Sequence, residues 1–389
     1  FQSFAVPTTH WDDFAGSSKA DSGRTKMMKA RTARSMAGRC AVFPSGQDES
    51  GIWIRQEIRR VVQIRRGEVP GIVCGRKVRQ LPEMGKCSLL VGLAGFLFLL
   101  SARADEALPD GLYAEVTTPR GVVVAELHYK QVPMTVANYV GLAEGALGPK
   151  KGAPFFDGLT FHRVVEDFVV QGGDPTATGD GDAGYLFPDE ITPALSHDRA
   201  GVVQMANDGP DTNGSQWCFM LREVHRLDYL HSVFGHVVRG LEVLPKIEQG
   251  DAMKVKILRV GAEADAFRVT EESFGKITAA ANRYDGPREP GPDAPFDDPD
   301  KILPTDWDRA KAFNYKLANF ERFTGGKLRA RVLAKAPASG MDDYMAETSA
   351  RLGVEKDGVL AVYCADSDRW HLKVGETFQP LLAGEAAFM

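Results

Sequence analysis

Between residues 112 and 261 the apolar positions fall in short runs that are separated by glycine-rich turns. The first two runs, Tyr113–Thr117 and Val122–Leu127, flank a turn-like tetrapeptide and predict a β-hairpin. Further runs predict strands at Phe161–Val165, Phe168–Gln171, Val202–Ala206, Trp217–Leu221 and Val233–Val238. Many short strands with few helices are typical of a closed barrel, so we expect a mainly β domain here.

One stretch of this region has helical spacing instead. Residues 135–144 follow Pro133 and end before Gly145. Their apolar side chains recur three and four residues apart, at Val136, Tyr139, Val140 and Ala143. This pattern predicts an amphipathic helix with proline at its start and glycine at its end.

The carboxy-terminal third predicts a second, smaller unit. Residues 262–304 are expected to hold a helix and then a linker, because 287–304 are rich in proline and aspartate. Asp306 is suited to cap a helix that runs to Thr324. A βαββ pattern follows at Leu328–Leu333, Asp342–Leu352, Val359–Cys364 and Trp370–Val374. We expect a small α/β domain over 305–389, and whether it is complete stays open.

The pattern before residue 105 is that of a secretory signal. Residues 84–104 contain Lys86, an apolar run from Leu89 to Leu100, and a small-x-small site ending at Ala104. The run is shorter than the roughly 20 apolar residues of a membrane span. We expect export to the periplasm or cell envelope and no stable membrane insertion after cleavage. A buried helix or an uncleaved anchor is the alternative.

Residues 1–83 fit this scheme poorly, because a signal works at an amino terminus. They hold 15 basic and 8 acidic groups and show no sustained periodicity. We expect a non-native or disordered basic extension, with a basic targeting arm as the alternative.

Charge and cysteine content exclude several function classes. Residues 105–389 carry 30 basic and 44 acidic groups, and such an acidic body repels phosphate, so nucleic acid is a poor candidate partner. The five cysteines show no metal-ligand spacing and no CxxC pair. We expect no metal and no cofactor.

Four polar blocks interrupt the strand pattern in a specific order. They are FHRV (161–164), FxxQGGD (168–174), MANxGPxTNGSQ (205–216) and LDxxHxVFG (227–235). In this order and spacing the sequence resembles the cyclophilins, and Pro133–Tyr139 resembles that family's first helix. The resemblance covers about 150 of the 389 residues.

The resemblance implies a fold, an activity and a site. The fold is a closed eight-stranded antiparallel β-barrel capped by two helices. The activity is peptidyl-prolyl cis/trans isomerisation on proline-containing polypeptides, and we expect a monomer. The implied catalytic residue is Arg163, and the implied substrate-binding residues are Phe168, Gln171, Met205, Ala206, Asn207, Gln216, Cys218, Leu227 and His231. Among them, Gln171 and Gln216 would anchor the amide on the amino side of the proline, and the Asn207 backbone would pair with the peptide.

Strand alternation supports part of this site. It places Phe161 and Arg163 on one face, and Gln216 and Cys218 on one face. Taken singly, each polar residue is better explained as an exposed or satisfied strand position, whereas the whole set in this order favours the functional explanation.

Two positions depart from the family pattern. Cys218 stands at the floor of the proline pocket, where the family usually has Phe. A smaller floor leaves the pocket less filled, so the alternative function is a proline-binding module or chaperone with weak or no turnover. Arg226 stands where many members have Trp, and it would either favour acidic substrates or, as we expect, simply be exposed.

The second unit resembles the TPM domain, for which phosphatase activity has been proposed. The resemblance rests on the spacing of residues 357–375. Asp366 and Asp368 are candidate metal ligands there, but a polar hairpin turn explains them better.

Overall fold

The structure is a computed structural model that describes residues 107–303 and 307–379. The predicted signal at 84–104 and the basic extension at 1–83 lie outside the described residues. Within the described ranges, no helix is both long and apolar enough to span a bilayer.

Eight antiparallel strands form the first sheet. They are β1 Gly111–Thr118, β2 Gly121–Leu127, β3 Arg163–Val165, β4 Val169–Gly172, β5 Val202–Met205, β6 Trp217–Met220, β7 Val233–Arg239 and β8 Lys254–Val260. Their order in the sheet is β3-β4-β6-β5-β7-β2-β1-β8. Strand β8 lacked a prediction of its own, whereas the other seven lie within two residues of their predicted positions.

The sheet curls until the chain segments just before its two edge strands, β3 and β8, hydrogen-bond to each other. Thr160 bridges Ala252, the Phe161 amide donates to the Asp251 carbonyl at 3.0 Å, and the Met253 amide donates to Leu159 at 2.8 Å. These bonds satisfy backbone groups that an open edge would leave exposed. The predicted mainly β fold is confirmed, and the closure fixes the position of β3.

The interior of this barrel is apolar and aromatic. Alternate residues of β1 and β2 enter it, among them Leu112 and Val123. Trp217 lies at its centre, with ring centroids 5.4 Å from Tyr139 and 6.0 Å from Phe161. Because side chains alternate along a strand, the inward Trp217 directs its neighbour Cys218 to the other face of β6.

Helical segments cover the barrel. Helix α1 (Pro133–Ala143) matches the predicted helix, and the 3-10 helix Leu241–Lys246 contributes Val243 and Leu244 to the core. After β8 come α2 (Ala262–Ala266) and α3 (Glu271–Ala280). Helix α3 packs against α1, so this region continues the barrel domain.

The carboxy-terminal unit has a four-stranded sheet. Its elements are β9 Phe296–Asp297, α4 Trp307–Thr324, β10 Lys327–Leu333, α5 Met341–Arg351, β11 Gly358–Cys364 and β12 Arg369–Val374. The sheet order is β12-β11-β10-β9, with only the β11–β12 pair antiparallel. The βαββ pattern predicted from the sequence corresponds to β10, α5, β11 and β12.

The segment expected to be a linker is part of this unit. It supplies β9, and the buried Arg331 of β10 donates to the carbonyls of Pro292, Ala294 and Pro295. These hydrogen bonds hold the proline-rich segment against the sheet.

Candidate active site

Three neighbouring strands align polar and small residues on the face opposite the barrel core. Arg163 of β3 pairs with Gln171 of β4, and Gln171 pairs with Cys218 of β6. Directly opposed residues of an antiparallel pair share a face. Arg163, Gln171 and Cys218 therefore form a row across the sheet.

The expectation that Phe161 shares this face is wrong. Phe161 is fully buried in the barrel core against Trp217. Strand β3 begins only at Arg163, and Phe161 belongs to the irregular segment that closes the barrel. Strict alternation therefore does not extend from Arg163 back to Phe161.

A chain of hydrogen bonds fixes the Arg163 guanidinium. Its Nη1 donates to Gln171 Oε1 at 3.0 Å, and Gln171 Nε2 donates to Gln216 Oε1 at 2.8 Å. Gln216 in turn donates to the carbonyls of Gly179 and Gly181. Gln216 thus reaches the same face as Cys218, as alternation predicted, and the guanidinium is held in one orientation.

Beside this chain lies a buried apolar cluster, at the place where the resemblance puts the proline pocket; we call this cluster the hollow. Phe168, Cys218 and Leu227 belong to one buried cluster, with Ala206 packed against it. The exposed fractions of Phe168, Met205, Cys218, Leu227 and His231 lie between 1% and 6%. Met205 differs from the others because it packs with the barrel core cluster.

The predicted peptide-pairing residue, Asn207, has its side chain engaged within the protein. Its Nδ2 donates to the Leu230 carbonyl at 2.9 Å. The preceding amide, that of Ala206, donates to the Gln216 carbonyl at 3.0 Å. This hydrogen bond connects the residue next to Asn207 with Gln216, one of the two predicted amide anchors.

Neither the thiol nor the imidazole of the hollow is a reactive base at neutral pH. Burial raises the pKa of Cys218 to about 12, so the thiol stays protonated. Burial lowers the pKa of His231 to about 3, so its ring is neutral. Arg163 remains the charged group that the prediction placed here.

A half-buried carboxylate, which the sequence analysis did not identify, holds the turn next to the hollow. Asp228 accepts hydrogen bonds from the amide and Nδ1 of His197 and from Nδ1 of His225, each at 2.8 Å. Burial alone would raise the pKa of Asp228, but these bonds hold it below its ordinary value. Asp228 is the second residue of the LDxxHxVFG block, so the sequence did contain a signal for it. The Asp228 contacts fix the 3-10 turn His225–Leu227.

Arg226, at the centre of this turn, is not simply exposed as we expected. Its Cζ lies 4.9 Å from the ring centroid of Phe168, closer than the 5.9 Å of Arg163. Its Nε and Nη2 atoms are excluded from solvent. Two guanidinium groups therefore lie near one aromatic side chain of the hollow.

Helix α4 of the carboxy-terminal unit packs on the same turn. Lys316 Nζ donates to the carbonyls of His225 and Arg226 at 2.9 and 3.2 Å. Asn319 Nδ2 donates to the Tyr229 carbonyl at 3.0 Å. The second unit thus supports the wall of the hollow.

No group of three or more possible metal ligands occurs within residues 107–303 and 307–379. Asp366 Oδ2 accepts the Ala336 amide, and Asp368 Oδ1 accepts the Tyr363 hydroxyl. Both aspartates thus form structural contacts around the β11–β12 turn.

Comparison with known proteins identifies the family of this chain. The model of the cyclophilin type peptidyl-prolyl cis-trans isomerase/CLD family matches residues 113–262. Peptidyl-prolyl cis-trans isomerase CYP18-2 of Arabidopsis thaliana is 43% identical over 146 residues, which are 36% of this chain and 84% of the relative.

A bacterial relative agrees with this match. The probable peptidyl-prolyl cis-trans isomerase A of Mycobacterium leprae is 46% identical over 132 residues, 32% of this chain and 72% of that protein. A crystal structure of a Cryptosporidium parvum cyclophilin type isomerase is 29% identical, with a TM-score of 0.34, and covers 39% of this chain and 98% of its own. The identity to the two relatives, each matched over more than two thirds of its own length, shows that the chain belongs to the cyclophilin-type peptidyl-prolyl cis-trans isomerases.

Proposed function

We propose that Arg163 catalyses isomerisation by stabilising the twisted X-Pro bond of a polypeptide held in the hollow. The observation that carries this proposal is the guanidinium position. It is fixed by Gln171 at 3.0 Å and lies 5.9 Å from the Phe168 ring.

The chemistry of the bond explains why a fixed cation suffices. Rotation breaks amide conjugation, and the barrier is about 18–20 kcal/mol. In the twisted transition state the proline nitrogen becomes pyramidal and regains a lone pair. A donor aimed at that nitrogen stabilises the transition state more than either planar isomer, which is the requirement for catalysis. The protonated thiol of Cys218 and the neutral ring of His231 agree with a reaction that needs no nucleophile.

A protease-coupled or exchange-spectroscopy assay on a prolyl peptide tests this mechanism. Arg163→Ala should lower kcat/KM by about a hundredfold or more, the usual cost of one transition-state donor. Arg199→Ala is the matched control, because Arg199 is an exposed arginine paired with Asp198. Equal rates for wild type and Arg163→Ala would rule the mechanism out.

A proline-binding role with little turnover is the second candidate, and Cys218 favours it. The residue lies in this apolar cluster and is smaller than the Phe that the resemblance leads us to expect at the floor of a proline pocket. Cys218→Phe separates the two functions. A large gain in kcat/KM would indicate a site adapted to binding, whereas an unchanged or lower value would support the isomerase.

Exported proteins are the proposed substrates. The support is the ordering of Lys86, the apolar run 89–100 and the small-x-small site before Asp105. Amino-terminal sequencing of the secreted protein tests this. A mature start near Asp105 is expected, and a protein retained inside the cell with residues 84–104 intact would contradict export.

A further inference from the structure

The predicted peptide groove comprises the hollow and the backbone of Asn207, and the Asn207 side chain fixes that backbone. Its Nδ2 donates to the Leu230 carbonyl at 2.9 Å and to Asp189 Oδ1 at 3.4 Å. The fully buried carboxylate of Asp189 accepts two further hydrogen bonds from the same loop, from the Asp211 amide at 3.1 Å and from Asn213 Nδ2 at 2.8 Å. The position of Asn207 therefore depends on two supports, the Asp189 carboxylate and the turn that contains Leu230.

Helix α4 holds the first support. Arg322 Nη2 donates to Asp211 Oδ1 at 2.8 Å, and Arg322 Nη1 lies 3.8 Å from Asp189 Oδ2. Burial raises the pKa of Asp189 to about 6, while hydrogen bonds from the loop and the charge of Arg322 act in the opposite direction. The guanidinium thus favours the ionised carboxylate that accepts the loop's hydrogen bonds. It also holds Asp211 in a left-handed backbone conformation, with φ of 59°, that is uncommon for residues other than glycine.

The same side of α4 holds the second support. Asn319 lies three residues before Arg322, so the two side chains are neighbours on the helix surface. Asn319 Nδ2 donates to the carbonyl of Tyr229, which precedes Leu230, at 3.0 Å, and Asn319 Oδ1 accepts from Arg322 Nη1 at 3.2 Å. Both side chains are almost fully buried. Two residues of α4 that bond to each other therefore fix both supports of Asn207.

We propose that Arg322 and Asn319 are positioning residues for substrate binding, so that the carboxy-terminal unit completes the peptide groove. This inference rests on the proposed function, because it takes the Asn207 backbone to pair with the peptide. Both residues lie outside the range 113–262 that the family model matches. A loop that is ordered before the peptide arrives loses less conformational freedom on binding, so the two residues should act on affinity and not on the rotation step at Arg163.

The test compares kcat and KM of full-chain variants on a short Ala-Ala-Pro-Phe peptide. Exchange spectroscopy gives both constants, at a temperature where circular dichroism shows each variant to be folded. For Arg322→Gln we expect KM to rise by about three- to tenfold while kcat stays within about twofold. Arg322→Lys restores the charge and should recover part of the affinity. Amide hydrogen exchange at Asp208 and Asp211, whose amides are bonded within the loop, should be faster in Arg322→Gln than in wild type.

Arg329→Gln is the matched control. Arg329 pairs with Glu321 within the carboxy-terminal unit at 2.7 Å, and its side chain is 10% exposed, close to the 6% of Arg322. Its loss removes a similar ion pair that does not involve the Asn207 loop, so KM should stay at the wild-type value. A variant that is only less stable has fewer folded molecules, which lowers the apparent kcat and leaves KM unchanged.

Asn319→Ala provides a second variant if Arg322→Gln does not fold. It removes the donor to the Tyr229 carbonyl and keeps the ion pair between Arg322 and Asp211. KM should rise by about threefold, again without a change in kcat. An unchanged KM in the folded variants, or an equal rise in Arg329→Gln, overturns the inference.

The outcomes separate this inference from the proposed function. A rise in KM in the α4 variants, together with equal rates for wild type and Arg163→Ala, overturns the catalytic proposal alone. A rate that depends on Arg163, together with a KM that does not depend on α4, overturns the positioning role alone. Where the chain shows no turnover, the dissociation constant of the same peptide, measured by calorimetry, takes the place of KM, and absence of binding overturns both.

Discussion

Arg322 of helix α4 lies 2.8 Å from Asp211 of the barrel and joins the two units through a buried ion pair. A second carboxylate, Asp189, lies 3.8 Å from the same guanidinium. The side chains of Arg322, Asp211 and Asp189 are 6%, 14% and 0% exposed. The loop that contains Asp211 also carries Asn207 and Asn213, so this pair connects the carboxy-terminal unit to the proposed substrate-binding side of the barrel.

Removal of this guanidinium should destabilise the whole protein. Arg322→Ala leaves two buried carboxylates without their cation, which costs about 3–5 kcal/mol for broken buried pairs. Chemical denaturation measures the free energy of unfolding. Lys311→Ala is the control, because its pair with Glu289 is more exposed and should contribute much less to the free energy of unfolding. Equal losses in the two variants would contradict the buried pairing.

Loss of the Gln171 side chain should reduce catalysis without removing Arg163, the proposed catalytic residue. Gln171→Ala removes the acceptor that orients Arg163, and misplaced catalytic groups lose about ten- to a hundredfold in rate. The effect should fall on kcat more than on KM. The exposed Gln249→Ala is the matched control, and kcat values that are the same in both variants would argue against orientation by Gln171.

Lys316 should stabilise the turn that carries Arg226. Lys316→Met keeps the apolar length of the side chain but leaves two carbonyls without their donor, at a cost of about 1–3 kcal/mol. Amide hydrogen exchange at Leu227, Leu230 and His231 should become faster than in wild type. Lys311→Met should leave these amides protected, and unchanged protection in Lys316→Met would mean that α4 does not support the turn.

The buried His231 predicts an acid-sensitive stability. Burial, with smaller effects from His197 and Arg226, lowers its folded-state pKa to about 3 from an ordinary value of 6.5. The folded state therefore binds fewer protons than the unfolded state, and the contribution is present above pH 6.5 and is lost as the pH falls toward 3. The slope is about 1.4 kcal/mol per pH unit below about pH 6.

Unfolding curves for wild type and His231→Gln at pH 7, 6 and 5 measure this contribution. The variant should lose stability less steeply with acid. Part of the slope should remain, since burial also lowers the pKa of His128 to about 4. Parallel slopes in the two proteins would show that His231 is not buried as a neutral ring.

The sequence was sufficient for the barrel because its strands obey simple alternation. Val123, Ala125 and Leu127 of β2 all enter the core, and Gln216 and Cys218 share a face. Alternation fails at Phe161, where long-range closure against Asp251 sets the backbone direction. A pattern that repeats every two residues gives no information about such a contact between distant segments of the chain.

The packing of α4 against residues 225–229 also could not be predicted from the sequence. Its contacts join Lys316 and Asn319 to carbonyl groups near residues 225–229, and backbone carbonyls have no residue signature. Arg226 was misjudged for the same reason, because its burial depends on packing against Phe168 and on a neighbouring unit. The sequence motifs therefore identified the site residues of the barrel but not the supporting residues of α4.

Because α4 packs on the barrel, we expect the barrel and the carboxy-terminal unit to unfold together on heating. A fragment cut after Val260 would lack the cation beside Asp189 and the lysine above the turn, so its groove would differ from that of the intact chain. Motif boundaries therefore mark where the family resemblance ends, whereas we expect cooperative unfolding to follow the contacts and to include α4.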